Sequence, residues 1–245
     1  MSSWQSRDSA ITELLDAEDI DRGALERNLR DIRRINAMLG WTAFTTRAVL
    51  AEVKRDPRLT WSLLDVASGS ADIPFAIARS AERAGIALRV TATDRSPQIV
   101  TIARERCAGL PHFQVETQDA LALSYATGSF DIALCTLALH HFEPDAARAL
   151  LRSMARVGRR VFIFDVVRSP LAYAGVVALT RLAGMNAMTR HDGPASVRRA
   201  YSLTEARALA AEAGLRNVRA RALFPYRLML VGEGEIAPGG SGDDL

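Results

Sequence analysis

The sequence from residue 63 to residue 74 reads LLDVASGSADIP, an apolar run that ends in an acid and continues into residues with very small side chains. The apolar run predicts a buried strand, and Ile73 with Pro74 predicts the start of a helix. The small residues between them would let backbone N–H groups and the helix N-terminus approach a polar ligand closely. Ordinary strand-to-helix connections use the same residue types, so the downstream sequence has to decide between these interpretations.

Downstream of this stretch, strand-like and helix-like segments alternate. Further strands are predicted at residues 88–93, 112–116, 130–135, 161–167, 218–223 and 226–231, and helices at 73–84, 97–107, 145–155 and from Thr204 to about Gly214. This alternation predicts an α/β fold, a doubly wound Rossmann-like seven-stranded sheet that is mostly parallel.

The flanks of this core differ from it in composition. We predict an N-terminal helical lid, an α/β core, a cap or substrate-loop insertion after strand five, a closing helix with two strands, and a disordered Gly- and acid-rich tail. In the same order, these five regions span residues 1–56, 57–168, 169–203, 204–232 and 233–245. Inside the insertion, the apolar segment 171–184 predicts a buried cap helix or a homodimer contact, and 185–199 predicts a loop over the carboxyl edge of the sheet.

Residues 25–39 follow a helical period and therefore predict an amphipathic lid helix. Its apolar positions share one face and are Leu25, Leu29, Ile32, Ile35 and Leu39. Asn28 and Asn36 fall on that same face, where a buried amide needs a partner. Asn36 is the better candidate for lining a substrate pocket.

The net charge is only +3, although the sequence pI is about 9.2. The lid arginines, such as Arg27 and Arg30, are interleaved with acids, which is typical of a solvated helix face, and we expect no nucleic-acid partner. Cys107 and Cys135 have no metal-ligand spacing. The polar N-terminus lacks an apolar signal core, and no apolar run approaches the ~18 residues of a membrane span, so we expect a cytoplasmic protein.

Residues after the first strand narrow the choice of ligand. A dinucleotide-binding turn would have three glycines where this chain has Ala67, Gly69 and Asp72, and the sequence G-K-[ST] of a P-loop does not occur. Asp94 ends the second strand, where a carboxylate can accept both hydroxyls of a ribose. Asp119 comes after the third strand, where it can reach an adenine amino group. This pattern favours another adenosyl ligand.

Several motifs carry a resemblance to a known family. They are Asp65-x-Ala67-x-Gly69-x-Ala71, Asp94, Gln118-Asp119-Ala120 and Phe130-Asp131-x-Ala133-x-Cys135. In order and spacing they resemble the class I S-adenosylmethionine-dependent methyltransferases. Leu137-x-Leu139-His140-His141 looks like the ubiquinone/menaquinone-type small-molecule branch. The flanks resemble bacterial methyltransferases of phenolic polyketide pathways.

The resemblance implies S-adenosylmethionine as cofactor and assigns residues to it. The turn from Ala67 to Ala71 would hold the methionine portion, and Thr136 would lie beside the sulfonium. The full set implied to bind the cofactor is Asp65, Ala67, Gly69, Asp72, Asp94 and Arg95 for its methionine and ribose end, Asp119 and Ala120 for adenine, and Thr136. The family usually has Gly at the positions of Ala67 and Ala71.

Methyl transfer from a sulfonium is a direct displacement, so alignment in a dry pocket supplies most of the rate. A phenol ionises near pH ~10, and a nearby histidine can accept its proton. His191 and His141 are the candidate bases, while Arg190 and Tyr201 are candidates for orienting the acceptor. We expect no metal, because Asp165, His191 and Asp192 lack compact ligand spacing.

The sequence therefore predicts a methyltransferase acting on a small aromatic acceptor, most readily the oxygen of a phenolic or polyketide-like metabolite. Three alternatives remain: C-methylation of a quinone-type ring, a degenerate cofactor-binding protein without turnover, and an RNA methyltransferase. A nicotinamide enzyme is disfavoured, because the turn lacks the glycines and the chain lacks a Tyr-x-x-x-Lys pair.

Overall fold

The computed structural model describes residues 4–17, 19–56 and 60–235, and within them the chain forms one seven-stranded sheet. The strands are β1 (Trp61–Val66), β2 (Leu88–Asp94), β3 (Phe113–Thr117), β4 (Phe130–Thr136), β5 (Gly158–Val166), β6 (Arg216–Leu223) and β7 (Arg227–Glu233). Their spatial order is β3-β2-β1-β4-β5-β7-β6. Neighbours from β3 to β5 are parallel, and β7 is antiparallel to β5 and β6. The predicted doubly wound, mostly parallel sheet is confirmed.

Helices cover both faces of this sheet. They are α1 (Arg22–Met38), α2 (Trp41–Val53), α3 (Asp72–Arg83), α4 (Pro97–Cys107), α5 (Pro144–Val157), α6 (Pro170–Leu182), α7 (Ala187–Arg199) and α8 (Leu203–Glu212). Successive side chains of a strand point to opposite faces. Leu64 accordingly packs in the apolar cluster that contains α5 and α8, and Leu63 packs in the cluster that contains α2 and α3.

The segment 185–199, predicted to be a loop, instead forms the helix α7, so this prediction is wrong. The Asn186 side chain caps the helix by accepting a hydrogen bond from the Thr189 amide. Gly193-Pro194 resembles a turn signal but lies inside the helix. A Cβ on Gly193 would lie 2.9 Å from Val176 Cγ1, so the glycine serves close packing of α7 on α6.

Both ends of the closing segment also differ from prediction. Ser202, and not Thr204, is the N-cap of α8, in a capping box with Glu205. The amides of Gly234 and Glu235 donate to backbone carbonyls at the end of α5 and the start of β5. The hydrogen-bonded chain therefore continues beyond the predicted boundary at residue 232, and the rest of the predicted disordered tail, 236–245, lies outside the described residues.

The helix α6 buries only Ala172 and Thr180 and exposes Leu171 and Leu182. It is therefore only partly a buried cap helix, and the homodimer contact predicted for it stays a prediction. None of the helices in the described parts of the chain is long and apolar enough to cross a lipid bilayer.

The carboxyl ends of the parallel strands meet at one edge of the sheet, and this edge positions the candidate site. Asp65, Asp94 and Thr136 lie at or near the ends of β1, β2 and β4. The helix α1 lies over the turn after β1, because Leu29 Cδ2 is 4.0 Å from the position that a Cβ on Gly69 would take. The predicted lid helix thus covers the small-residue turn at the start of the core.

Candidate functional site

The turn after β1 has a left-handed backbone at alternate residues. Ala67, Gly69 and Ala71 each have φ of 55°. Glycine adopts this conformation freely, whereas a Cβ makes it costly. The two alanines therefore occupy positions whose backbone favours glycine, the residue usual there in the family that the motifs resemble.

Two buried polar atoms without a hydrogen-bond partner lie at the strand ends beside this turn. They are Asp65 Oδ1 and Thr136 Oγ1. The other oxygen of Asp65 accepts a hydrogen bond of 2.6 Å from Ser68 Oγ. Buried polar atoms rarely lack a hydrogen-bond partner. Two such atoms at one edge of the sheet therefore fit a polar ligand bound there.

Asp94 fixes the position of the turn. Its two carboxylate oxygens accept hydrogen bonds of 3.0 Å from the backbone amides of Gly69 and Ser96. Burial raises the pKa of Asp94, and these two amides act in the opposite direction. Each carboxylate oxygen has a further lone pair, so Asp94 can hold the turn and still accept hydroxyls of a ribose.

This edge of the sheet is rich in carboxyl groups. Burial, with the nearby carboxylates of Asp72 and Asp94, raises the pKa of Asp65 to about 7, while the Ser68 hydroxyl opposes the shift. Like charges that disfavour one another are stabilised by a cation placed among them. The site therefore suits a ligand that carries positive charge, as a sulfonium does.

Asn36, predicted to line the substrate pocket, lies on the lid helix, and the remaining residues implied to bind the cofactor lie at or after the ends of β2 and β3 and at the start of α3. Asn36 Nδ2 donates to Asp72 Oδ2 over 3.2 Å, which links the lid helix to the start of α3. Asp119 is exposed and accepts a hydrogen bond from the Leu121 amide, and Ala120 beside it is buried. Arg95 is exposed and acts to lower the pKa of Asp94. The role of Asn36 in substrate binding and the cofactor contacts of the other residues stay predictions.

A cluster of two histidines and three carboxylates lies after β4. His140 Nδ1 is 2.7 Å from Asp165 Oδ1, and His141 Nδ1 is 2.9 Å from Asp16 Oδ1. The Nε2 atoms of both rings face Glu13, at 3.6 Å and 3.7 Å from its two carboxylate oxygens. Among the described residues, Glu13, His140 and His141 form the group of acids and histidines with the spacing to hold a metal ion.

Arg199 bridges this histidine cluster, which lies near the candidate ribose-binding acid Asp94. The Arg199 guanidinium donates to the carbonyls of His140 and His141 and also contacts Asp16. Burial acts to lower the pKa of His141, but Glu13 and Asp16 outweigh burial, so its pKa is raised. His141 in turn acts to lower the pKa of Asp94, so the cluster and the candidate ribose-binding acid share one electrostatic environment.

The other predicted acceptor-side residues are placed differently. His191 lies on α7 with about half of its side chain exposed and contacts Asp192, so it is not assembled with Asp165. Arg190 is exposed on the same helix. The buried Tyr201 hydroxyl donates to the Phe142 carbonyl over 2.7 Å, and burial raises its pKa to about 12. Roles in acceptor binding for Arg190 and Tyr201 stay predictions.

Sequence reasoning missed Glu13, Asp16 and Arg199. The two acids come from the segment 4–17, which is described mainly as turns, bends and one short 3-10 helix, Leu14–Asp16. No local pattern marks them, because their partners lie more than 120 residues away in the chain. The one available signal was Glu13 itself, an acid inside the apolar run 11–15.

Comparisons with known proteins agree with this geometry. Residues 63–160 match the model of a methyltransferase domain. No curated protein matches the chain by sequence. In structure, the chain is similar to a SAM-dependent methyltransferase from Aquifex aeolicus, with a TM-score of 0.60 and 18% identity over 87% of this chain and 98% of that one.

Two longer structures are also similar. The S-adenosylmethionine-dependent methyltransferase SibL matches with a TM-score of 0.58 and 24% identity over 80% of this chain. The CMeT domain of the citrinin polyketide synthase matches with a TM-score of 0.62 and 14% identity over 81% of this chain. The chain spans only 56% of the SibL structure and 53% of the citrinin synthase structure. Residues 63–160, less than half of the chain, thus match a methyltransferase domain, and the chain shares the fold of these S-adenosylmethionine-dependent methyltransferase structures.

Proposed function

We propose that the protein transfers the methyl group of S-adenosylmethionine to a small aromatic acceptor, at the oxygen of a phenolic or polyketide-like compound. The observation that carries the proposal is the adjacency of two groups: the acids that suit a cationic cofactor and the histidine cluster after β4. Displacement at a sulfonium needs an aligned nucleophile, and a phenol becomes a strong nucleophile only when its proton is removed. The acids would hold the sulfonium cofactor in place for the displacement, and the adjacent histidine cluster would remove the proton of the acceptor.

We propose further that the cluster of Glu13, His140 and His141 ionises the acceptor hydroxyl. His141 is the more suitable of the two candidate histidines, because it faces two carboxylates and influences Asp94, whereas His191 is half-exposed on α7. The lid helix supports the proposal by covering the cofactor turn, since excluding water strengthens every polar contact inside the site.

Replacing His141 by Asn should lower kcat for methylation of a phenol by about 100-fold or more, the usual scale for loss of acid–base assistance. His191→Asn should change kcat by less than about threefold. The assay mixes the full chain with S-adenosylmethionine and a panel of phenols and quantifies S-adenosylhomocysteine. Equal losses in the two variants would contradict the choice of His141.

The same assay separates the alternative functions. Nuclear magnetic resonance of the product distinguishes an O-methyl from a ring C-methyl group. Saturable cofactor binding without turnover on any acceptor would contradict an enzyme and favour a cofactor-binding protein. Turnover on RNA with none on the phenol panel would contradict the small-molecule assignment.

Ala67→Gly should tighten cofactor binding by a few-fold and raise the melting temperature by about 1–3 °C. A left-handed non-glycine residue costs about 1–2 kcal/mol, of which the greater chain entropy of glycine in the unfolded state cancels roughly 0.4–1 kcal/mol. Calorimetric titration with S-adenosylmethionine and thermal unfolding measure the two effects.

Ala71→Gly is the matched control for this change. Ala71 has the same φ, but its methyl group is fully buried against Ala92 and Val100 on the α4 side of the sheet, whereas Ala67 is only partly buried. Removing a buried methyl group costs about 0.8 kcal/mol, so Ala71→Gly should give no net gain in stability. Weaker cofactor binding by Ala67→Gly would show that the Ala67 methyl group contacts the cofactor favourably.

A further inference from the structure

The distances between the two histidine Nε2 atoms and Glu13 are too long for hydrogen bonds, although Glu13 Oε2 accepts one from Ser196 Oγ at 3.0 Å. An N–H···O hydrogen bond spans about 2.7–3.2 Å between heavy atoms. The distances from His140 Nε2 and His141 Nε2 to the Glu13 carboxylate are 3.6 Å and 3.7 Å. Glu13 Oε1 is buried and has no hydrogen-bond partner, although only 5% of the residue is exposed. A buried carboxylate oxygen in this position is costly unless something else binds it.

The three groups are instead spaced like the ligands of one metal ion. Bonds of 2.0–2.1 Å in a tetrahedral site place neighbouring ligand atoms about 3.4 Å apart. One ligand atom from each of Glu13, His140 and His141 lies within 4.8 Å of the other two. A small inward movement would bring them into coordination.

The surrounding residues orient both imidazole rings for this purpose. Asp165 and Asp16 each bind an Nδ1 atom, at 2.7 Å and 2.9 Å, which directs the Nε2 lone pairs of His140 and His141 toward Glu13. Asp165 also accepts a hydrogen bond from the backbone amide of His140. A carboxylate on the distal ring nitrogen is the usual partner of a metal-binding histidine.

The charge balance points the same way. Glu13, Asp16 and Asp165 bring three carboxylates to the cluster, and Arg199 is the cation that contacts one of them, at 3.3 Å from Asp16. Two imidazole nitrogens and one carboxylate oxygen favour zinc or a neighbouring transition metal over magnesium or calcium, which prefer oxygen ligands.

We propose that Glu13, His140 and His141 form a binding site for one divalent transition-metal ion of the zinc class. The ion ties the N-terminal segment 4–17 to the loop after β4. This proposal differs from the sequence-based expectation that no metal is used. With the ion bound, both nitrogens of His141 are engaged, so the ion and not the imidazole would promote ionisation of the acceptor hydroxyl, a role that rests on the proposed function. Metal binding itself does not depend on that function.

The test is calorimetric titration of Zn²⁺ into the full chain after removal of metals with a chelator. We expect one ion per chain with micromolar or tighter affinity. Glu13→Gln should weaken binding by at least tenfold without unfolding the protein, because it removes a buried charge that has no hydrogen bond on one oxygen. Asp16→Asn, which removes the carboxylate that orients His141 and contacts Arg199, should weaken binding about 10–100-fold.

Glu143→Gln is the matched control, because Glu143 is close in sequence to His141 but pairs with Arg7. It should bind Zn²⁺ like the unaltered protein. Substitution with Co²⁺ gives an independent readout, since a tetrahedral site with nitrogen ligands absorbs strongly in the visible range and His141→Asn should abolish that band.

Absence of stoichiometric Zn²⁺ binding would overturn the inference, and so would undiminished binding in both Glu13→Gln and His141→Asn. Methyl transfer that proceeds at full rate in a protein that binds no metal would overturn the metal site and leave the proposed function intact. Stoichiometric metal binding without methyl transfer to any acceptor would support the site and count against the proposed function.

Discussion

Asp94→Ala should weaken the binding of S-adenosylmethionine by at least about 100-fold. A hydrogen bond to an ionised acceptor contributes about 1.5–3 kcal/mol, and two ribose hydroxyls would lose such a partner. The substitution also removes the acceptor that the Gly69 and Ser96 amides share, so the turn would lose its anchor on β2. Since about 1.4 kcal/mol corresponds to a factor of ten in affinity, a loss of about 3 kcal/mol exceeds 100-fold.

Calorimetric titration of cofactor into the variant measures this loss, with thermal unfolding alongside to show that the fold is retained. Asp94→Asn keeps one acceptor oxygen and should fall between the two proteins. Asp145→Ala removes an acid from the exposed surface of α5, where 95% of its side chain is accessible, and should bind cofactor normally. Near-normal affinity in a folded Asp94→Ala protein would remove Asp94 from the cofactor site.

The order of the core could be predicted from sequence because its signals are local. The apolar run before Asp65 predicts a strand by itself, and Ser96-Pro97 predicts the start of α4, where the Ser96 side chain caps the helix. Parallel order then brings the ends of β1, β2 and β4 together, so Asp65, Asp94 and Thr136 meet without any knowledge of side-chain packing. Their juxtaposition follows from topology.

The acceptor side could not be predicted in the same way, because it depends on contacts between distant parts of the chain. No local pattern brings Asp16 to His141, and Arg199 joins them only because α7 packs beside the loop after β4. The wrong prediction of a loop at 185–199 has the same origin. Gly193-Pro194 is a turn signal on its own, and the close contact of Gly193 with Val176 on α6 decides otherwise.

The helix α1 could be predicted from sequence in part: its buried face, but not the contacts of that face. The helical period correctly placed Asn28 and Asn36 on the buried face of α1, and both are buried. Periodicity cannot name their partners, which are the Thr189 hydroxyl on α7 and the Asp72 carboxylate on α3. The two amides therefore connect α1 to α7 and to the start of α3.

The buried carboxyl of Asp65 should make the stability of the cofactor-free protein depend on pH. Its pKa is about 7 in the folded protein, against 3.8 for the ordinary value, so the folded state keeps a proton that the unfolded state has already lost. Stability from this group is therefore greatest at low pH, declines as the pH rises toward 7, and is constant above that. For these two pKa values the decline between pH 5 and pH 8 is roughly 2–3 kcal/mol.

Asp65→Asn removes this dependence, because an amide does not titrate. The unfolding free energy of the variant relative to that of the unaltered protein should therefore rise by roughly 2–3 kcal/mol between pH 5 and pH 8. Urea unfolding of both proteins at the two pH values measures the difference, and Asp145→Asn controls for the loss of one surface charge. Saturating S-adenosylmethionine should shrink the effect, because a cationic ligand stabilises the ionised form of Asp65. An unfolding free energy that differs between the two proteins by the same amount at both pH values would mean that Asp65 is ionised across this range. The acidic edge would then be balanced by the protein itself and would not depend on the charge of the cofactor.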